Sequence, residues 1–265
     1  MSTLNVCVEG MGVWSPLAGD FEALKAMLAG APTEAPPARP TASTLPANER
    51  RRAPESVLLA VEVAGQAVAM SGYDAAELPC VFSSAYGDQL ISDYMCATLA
   101  SAPAELSPTR FHNSVHNAPA GYWTIATGCH ATSSAISAGR ASLGAGLLEA
   151  ATLCAAEERP VLLVCSDIKG NGPLGDMSGT KSSFGIALVL SPAATSRTVA
   201  QLELHLVPHA NHALRPAPAT GAWYETNPIA ASAWPLMQNL AKGEGECTLA
   251  AAETLALRVV LETSA

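Results

Sequence analysis

The hydrophobic pattern of the chain switches back and forth between a period of two and a spacing of three and four, which predicts strands alternating with helices. Leu4–Val8 alternates like a short strand and runs into Gly10-Met11-Gly12, read as a turn leading into a helix. Asp20–Leu28 sets Phe21, Leu24, Met27 and Leu28 on one helix face, and Gly30 ends it. Ala31–Pro54 carries Pro32, Pro36, Pro37, Pro40, Pro46 and Pro54, so an irregular surface excursion is expected there. Ser56–Met70 gives the clearest helix, apolar almost all round and therefore expected between two layers. Cys80–Ser84 is a candidate strand and Asp88–Leu99 a helix, while Val161–Cys165 and Ile186–Leu190 suit the inner strands of a sheet. Beyond Ser191 the pattern weakens. Gln201–Val207 alternates, Arg215–Thr226 reads as a loop with Trp223 and Tyr224, Trp234–Ala241 as a short helix and Thr254–Glu262 as a strand. No internal repeat appears at a period of about 20 to 50 residues, so the prediction is an α/β fold.

Composition narrows this. A chain of 265 residues with 49% hydrophobic and only 14% charged residues buries much of itself, and so little charge leaves room for a partner surface. The net charge of -9, with 14 Lys and Arg of which only Arg50–Arg52 cluster, argues against binding nucleic acid through its phosphates. That triplet reads as a solvated loop. No stretch of about 18 apolar residues is free of a charge, Pro or polar break, and Met1–Gly10 has no basic lead into an apolar run. No membrane span or secretory signal is therefore expected, which leaves the cytoplasm by default. Cys7, Cys80, Cys96, Cys129, Cys154, Cys165 and Cys247 contain no C-x-x-C pair and suit reduced, mostly buried thiols.

Several motifs look chemical and weaken on inspection. Gly10-x-Gly12 suggests a dinucleotide loop, but Ser15 replaces the third glycine and no acidic residue closes a second strand. His112 and His116 are spaced for a zinc pair, yet Asn113 stands where the general-base Glu belongs and Pro119 is read as closing the segment. Ser178-Gly179-Thr180-Lys181-Ser182 lacks the glycine before the lysine of a phosphate loop, and no Ser sits in a G-x-S-x-G elbow. Asp167, Lys169 and Asp176 follow the Val161 strand and read as solvated loop charges. Phe111, Tyr122 and Trp123 read most simply as core. No metal or cofactor is expected.

Two stretches carry a resemblance. "GMGVWSPLAGDFEALKAMLAG" is similar to the amino-terminal signature of β-ketoacyl synthases, and the stretch from Pro108 through Asn117-Ala118-Pro119-Ala120-Gly121 to Val161–Val164 resembles their segment around the active cysteine. With the helix after Arg50 and the "FGIALVL" strand, the likeness covers residues 4 to about 191. It resembles the small branch with an amino-terminal domain only, the chain-length-factor type of aryl polyene and related bacterial polyketide clusters. The resemblance implies a thiolase-like layered fold over 1–265, with an amino-terminal half and a shortened carboxy-terminal portion over 192–265.

The departures from the family decide what the resemblance implies about function. An ungapped match from Asn117 to Val161 puts the family's nucleophilic cysteine at about Arg140, and an arginine cannot attack a thioester. Cys129 lies eleven residues upstream, ahead of a small-residue run expected to be a buried strand rather than at a helix start, and reads as a structural thiol. His205, His209 and His212 lack the context of the histidines that hold the oxyanion in condensing enzymes. The resemblance thus implies a non-catalytic partner of a catalytic ketosynthase, meeting an acyl carrier protein through that complex. Phe111, His112, Val115, His116, Tyr122 and Trp123 are the expected tunnel or interface residues. Thr132, Ser133, Ser134, Ala135, Ile136 and Ser137 form the expected dimer strand, suited to close antiparallel pairing with a partner. Arg140 before a helix is opposed by the helix dipole, so a carboxylate or backbone carbonyl is expected beside it. The alternatives are an autonomous condensing or acyl-transfer enzyme using Cys129, and a purely structural interaction subunit.

Overall fold

The structure is a computed structural model that describes residues 3–208 and 222–263. In chain order the elements are β1 (Thr3–Trp14), α1 (Phe21–Leu28), α2 (Ala47–Arg52), α3 (Glu55–Ser71), β2 (Cys80–Ser83), α4 (Gln89–Ser101), α5 (Pro108–His112) and α6 (Ala118–Thr127). They continue with β3 (Ser133–Ile136), α7 (Ser142–Glu157), β4 (Val161–Asp167), α8 (Gly172–Ser178), β5 (Phe184–Ser191), β6 (Ala200–Pro208), α9 (Pro228–Lys242), β7 (Gly245–Ala250) and β8 (Leu255–Thr263).

All these strands join one sheet in the order β3-β2-β4-β5-β1-β6-β8-β7. β2 runs parallel to β3 and to β4, and every other pairing is antiparallel. The pleat divides the apolar residues between two cores. On β4, Val161, Leu163 and Cys165 join the core with α1, α7 and α9, while Leu162 and Val164 join the core with α3 and α6. A sheet covered on both faces explains why β4 and β5 read as unbroken apolar runs. Past β1 the second cover stops. β6 keeps Ala200, Leu202 and Leu204 inside but exposes Gln201 and Glu203, and Arg258 on β8 pairs with Glu246 on β7 at 2.7 Å in the open.

Side chains that engage backbone at the helix starts explain several boundaries. Asp20 accepts the Ala23 N–H at 2.7 Å ahead of α1, and Asp88 accepts that of Ile91 at 2.8 Å ahead of α4. The α3 helix is buried on most sides, as its pattern predicts, and Gly72 ends it in the left-handed conformation.

The structure corrects the sequence reading at several places. Gly10 and Gly12 make no turn: β1 continues through them, with a register shift between Val8 and Gly10, and glycine is needed because a Cβ on Gly10 would collide with Ala67 O and one on Gly12 with Val63 O of α3. Arg50–Arg52 lie in the short exposed helix α2, not in a loop. Pro119 opens α6 at its first turn rather than closing a segment, since a proline's missing N–H is harmless there. β7 has no counterpart in the reading, and α9 begins at Pro228, ahead of the expected Trp234. Of the loop expected over 215–226, the described part contains a 3-10 turn at Trp223–Thr226; His209 and His212 lie outside the described residues.

Candidate functional site

The parallel strands β2, β3 and β4 end at the same edge of the sheet, the edge where open α/β sheets place their ligands. Arg140 sits there in a 3-10 turn, Gly139–Ala141, between β3 and α7. Its guanidinium donates to Ser178 O at 3.5 Å, and its own carbonyl accepts from Ser232 Oγ at 3.0 Å. The expected carbonyl neighbour is therefore present, and it belongs to this same chain. Around Arg140 the polar groups are engaged with one another. Ser142 Oγ accepts the Ala138 N–H at 2.9 Å and lies 2.7 Å from Gly139 O. Ser83 Oγ donates to Ser142 O at 2.8 Å, and Ser137 Oγ donates to Ala85 O at 3.1 Å.

Asp167 is the centre of this corner and is the clearest miss of the sequence reading. It is not a solvated loop charge: only 2% of its surface is exposed. Its Oδ1 accepts the Ser84 hydroxyl at 2.6 Å and the N–H groups of Ala85 and Tyr86 at 3.1 and 3.3 Å. Burial pushes its carboxyl up to about 6, against the opposing pull of those donors. The carboxylate fixes the turn after β2, whose Ser84 O in turn lies 3.4 Å from His116 Nε2. A strand-terminal Asp followed by Ile is the one signal that could have marked it, since a solvated loop rarely resumes at once with a fully buried Ile168.

Six of the seven thiols are buried, and Cys96, on α4, is exposed. Cys129 follows the C-terminus of α6, is buried, and donates to Leu78 O at 3.3 Å. Burial pushes Cys80 and Cys247 up to about 11 and Cys154 up to about 12, far from the thiolate range of reactive cysteines. Among the described residues no group of His, Cys, Asp and Glu could hold a metal ion. His112 ends α5 whereas His116 lies in the turn before α6, so they share no helix face. His205 stands on β6 beside Glu203 at 3.3 Å, away from the edge just described.

The residues expected at a tunnel or interface split three ways. Trp123 is buried in the α3–α6 core and Tyr122 is partly buried, but Phe111 is 59% and Val115 53% exposed. The reading of all three aromatics as core thus holds for Trp123 and fails for Phe111. His112, Val115 and Tyr122 line a groove of about 400 Å³, whose other walls include Leu45, Pro46 and Ile125. Ile125 on α6 is 84% exposed. Leu45 and Pro46 come from the proline-rich excursion, and no periodicity could have signalled their part in the groove.

The expected dimer strand is β3, with Thr132 before it and Ser137 after it. It lies at one edge of the sheet with β2 as its neighbour on one side. Ser133 is exposed and Ser134, Ala135 and Ile136 are partly buried, so β3 is an open edge rather than the buried strand expected ahead of Arg140. No helix among the described residues is long and apolar enough to cross a membrane.

This geometry has counterparts. No curated protein matches the chain. It is similar to the structure titled "Ketosynthase (ApeO) in Complex with its Chain Length Factor (ApeC) from Xenorhabdus doucetiae", with 23% identity and a TM-score of 0.73 over 97% of this chain and 99% of that one. It is also similar to the ishigamide ketosynthase/chain length factor, at 18% identity and a TM-score of 0.56 over 91% of this chain and 70% of that one. A third likeness is to the AntDE:AntF structure, a type II PKS acyl-carrier protein in complex with its ketosynthase bound to the hexaketide, at 14% identity and a TM-score of 0.67 over 99% of this chain and all of that one. These likenesses give the thiolase-like fold. The family model described as "Beta-ketoacyl synthase, N-terminal domain" matches residues 25–254, and the chain belongs to that family.

Proposed function

We propose that this chain is a non-catalytic chain length factor, which pairs with a catalytic ketosynthase and shapes the acyl tunnel during polyene or fatty-acid-like chain elongation. The observation that carries the reading is Arg140. At the turn from β3 into α7, where the family resemblance sets the nucleophile, the chain has a guanidinium held by Ser178 O and no thiol. An arginine is neither a nucleophile nor, in this position, a base. Two further features support a partner: the open edge of β3, and the apolar groove beside exposed Phe111, Val115 and Ile125. The titles of the similar structures describe ketosynthase–chain length factor complexes, which agrees with this assignment. An acyl carrier protein meets the chain through the ketosynthase, and the pair works in the cytoplasm.

In this reading the exposed α5–α6 segment faces the ketosynthase, and its side chains close the far end of the acyl tunnel. Co-expression with a catalytic ketosynthase from the same organism tests the assignment. A stable heteromer on size-exclusion chromatography, with product length set by residues of this chain, is the expected result. A well-behaved monomer that ignores that ketosynthase and condenses acyl groups alone would sink it in favour of an enzyme using Cys129.

A further inference from the structure

Behind the apolar groove lies a second, much smaller cavity of about 20 Å³, lined by Ser83, Ser84, Asn113, His116 and Ser166 among others. Val115 and Ala118 belong to both linings, so the two spaces adjoin across these residues. Most polar groups of the small cavity are engaged. Ser83 Oγ donates to Ser142 O, Ser84 Oγ to Asp167, and Ser56 Oγ to Asp88 at 2.6 Å. Asn113 differs. It is only 4% exposed, and its Oδ1 has no hydrogen-bond partner. Ser166, 8% exposed, lines the same cavity. A buried acceptor without a donor is expensive to maintain, and native proteins seldom keep one unless something fills it. Trp123 Nε1 is the other buried polar atom in this condition among the described residues, and nothing in the structure explains it.

We infer that the two spaces form one ligand site, with an apolar groove for the body of a ligand and a polar end for a terminal hydroxyl. The volume sets the size of the head: about 20 Å³ admits one water-sized group and no more. The chemistry sets its type. A hydroxyl donates one hydrogen bond and accepts others: its donor matches the orphaned acceptor, Asn113 Oδ1, and the Ser166 hydroxyl stands on the same lining. A carboxylate would set its charge against Asn113 Oδ1, and a methyl would leave that oxygen unsatisfied. The groove, at about 400 Å³ and walled by Leu45, Val115, Tyr122 and Ile125, suits an apolar chain or ring system. The identification of the ligand as the far end of a growing acyl chain rests on the length-control reading above; the site itself does not.

The test uses the full chain and two probes of nearly equal apolar size, n-octanol and its methyl ether, with affinities from ligand-observed NMR. The alcohol is expected to bind about fivefold to tenfold more tightly, the contribution of one neutral hydrogen bond that also satisfies a buried acceptor. Asn113→Ala should bring the alcohol to the level of the ether and leave the ether unchanged. Should that variant fold poorly, Gly121→Leu serves instead: a Cβ there meets nothing within 4 Å, and the added side chain should exclude both probes. Equal binding of alcohol and ether would overturn the proposal and mean that a water answers Asn113. Absence of binding by either probe would overturn it as well. Product lengths measured on the assembled pair separate the two readings. An alcohol preference with unaltered lengths leaves the site and removes the length-control role, and the reverse pattern does the opposite.

Discussion

Two regions at the same edge of the sheet have opposite character. At the start of α7, Arg140, Ser142, Ser83, Ser84, Ser137 and Asp167 bond to one another and to nearby backbone. In the α5–α6 segment, Phe111 and Val115 stand in the open, a groove runs beside them and Asn113 Oδ1 is unsatisfied. A corner whose polar groups satisfy one another is built for stability and offers little to a substrate. A segment that leaves apolar surface and an acceptor unanswered is built to meet something else. At the turn where the resemblance sets the nucleophile the polar groups have partners within the chain, whereas the buried acceptor without one, Asn113 Oδ1, lies between α5 and α6.

The sharpest break in that comparison comes at Asp167. Asp167→Ala removes the acceptor of the Ser84 hydroxyl and of the Ala85 and Tyr86 N–H groups, leaving three donors without their buried partner. A loss of about 3 kcal/mol or more is expected from urea unfolding. Asp167→Asn should act quite differently, because the contacts fall mainly on one oxygen that asparagine retains. What it removes is the charge. The carboxyl moves from 3.8 to about 6 on burial, so the folded state holds its proton more tightly than the unfolded state does. The resulting stabilisation is complete below about pH 4 and is lost as pH rises through about 6. Relative to Asp167→Asn, the wild type should therefore gain about 1 kcal/mol between pH 7 and pH 5. A gain for the variant instead would mean that the donors, rather than burial, govern the carboxyl.

The same contrast explains what was legible in the sequence. Residues that act through their own helix or strand period declared themselves: the α3 helix, the runs of β4 and β5, and the Asp20 cap of α1 all follow from local pattern. Residues whose meaning depends on a neighbour brought in from afar did not. Gly10 and Gly12 read as a turn because glycine most often serves one, whereas here the missing Cβ admits the backbone of α3, more than fifty residues later. Asp167 read as a solvated charge because nothing local shows that the turn after β2 folds over it. β7 is short, and its Gly-Glu-Cys-Thr start is weakly patterned; pairing with β8 makes it a strand. That the stretch around Arg140 holds no cysteine is a property of sequence, while the groove was not legible, since Leu45 and Tyr122 meet only through the fold.

Phe111 sharpens the comparison from the open side. With 59% of its surface exposed it contributes little to the core, so Phe111→Ala should change stability by less than about 0.5 kcal/mol. If the segment closes the partner's tunnel, the same substitution should lengthen the product by a unit or more, because chain length is measured where bulk stops it. Mass spectrometry of products from the assembled pair reads this directly. Unchanged lengths in a soluble, assembled Phe111→Ala pair would leave Phe111 as a contact residue only.

The smallest change in function is expected at Arg140. Arg140→Cys places a thiol between β3 and α7, at the position where the family resemblance sets the nucleophile, and invites a gain of condensing activity. None is expected. A condensation also needs donors aimed at the thioester oxyanion, and losing one such donor typically costs about 100- to 1,000-fold. The hydroxyls closest to the turn are engaged elsewhere, Ser142 with Ala138 N and Gly139 O, and Ser83 with Ser142 O. The bond that the substitution removes is long, at 3.5 Å, and ends on a carbonyl of this chain. Assembly should therefore persist, and stability should fall by no more than about 1 kcal/mol. Radiolabelled acyl transfer to the variant chain followed by condensation with a malonyl carrier would show that the corner is catalytic after all. Acylation without condensation would show only that a thiol there can be reached, and the difference between the two regions would stand.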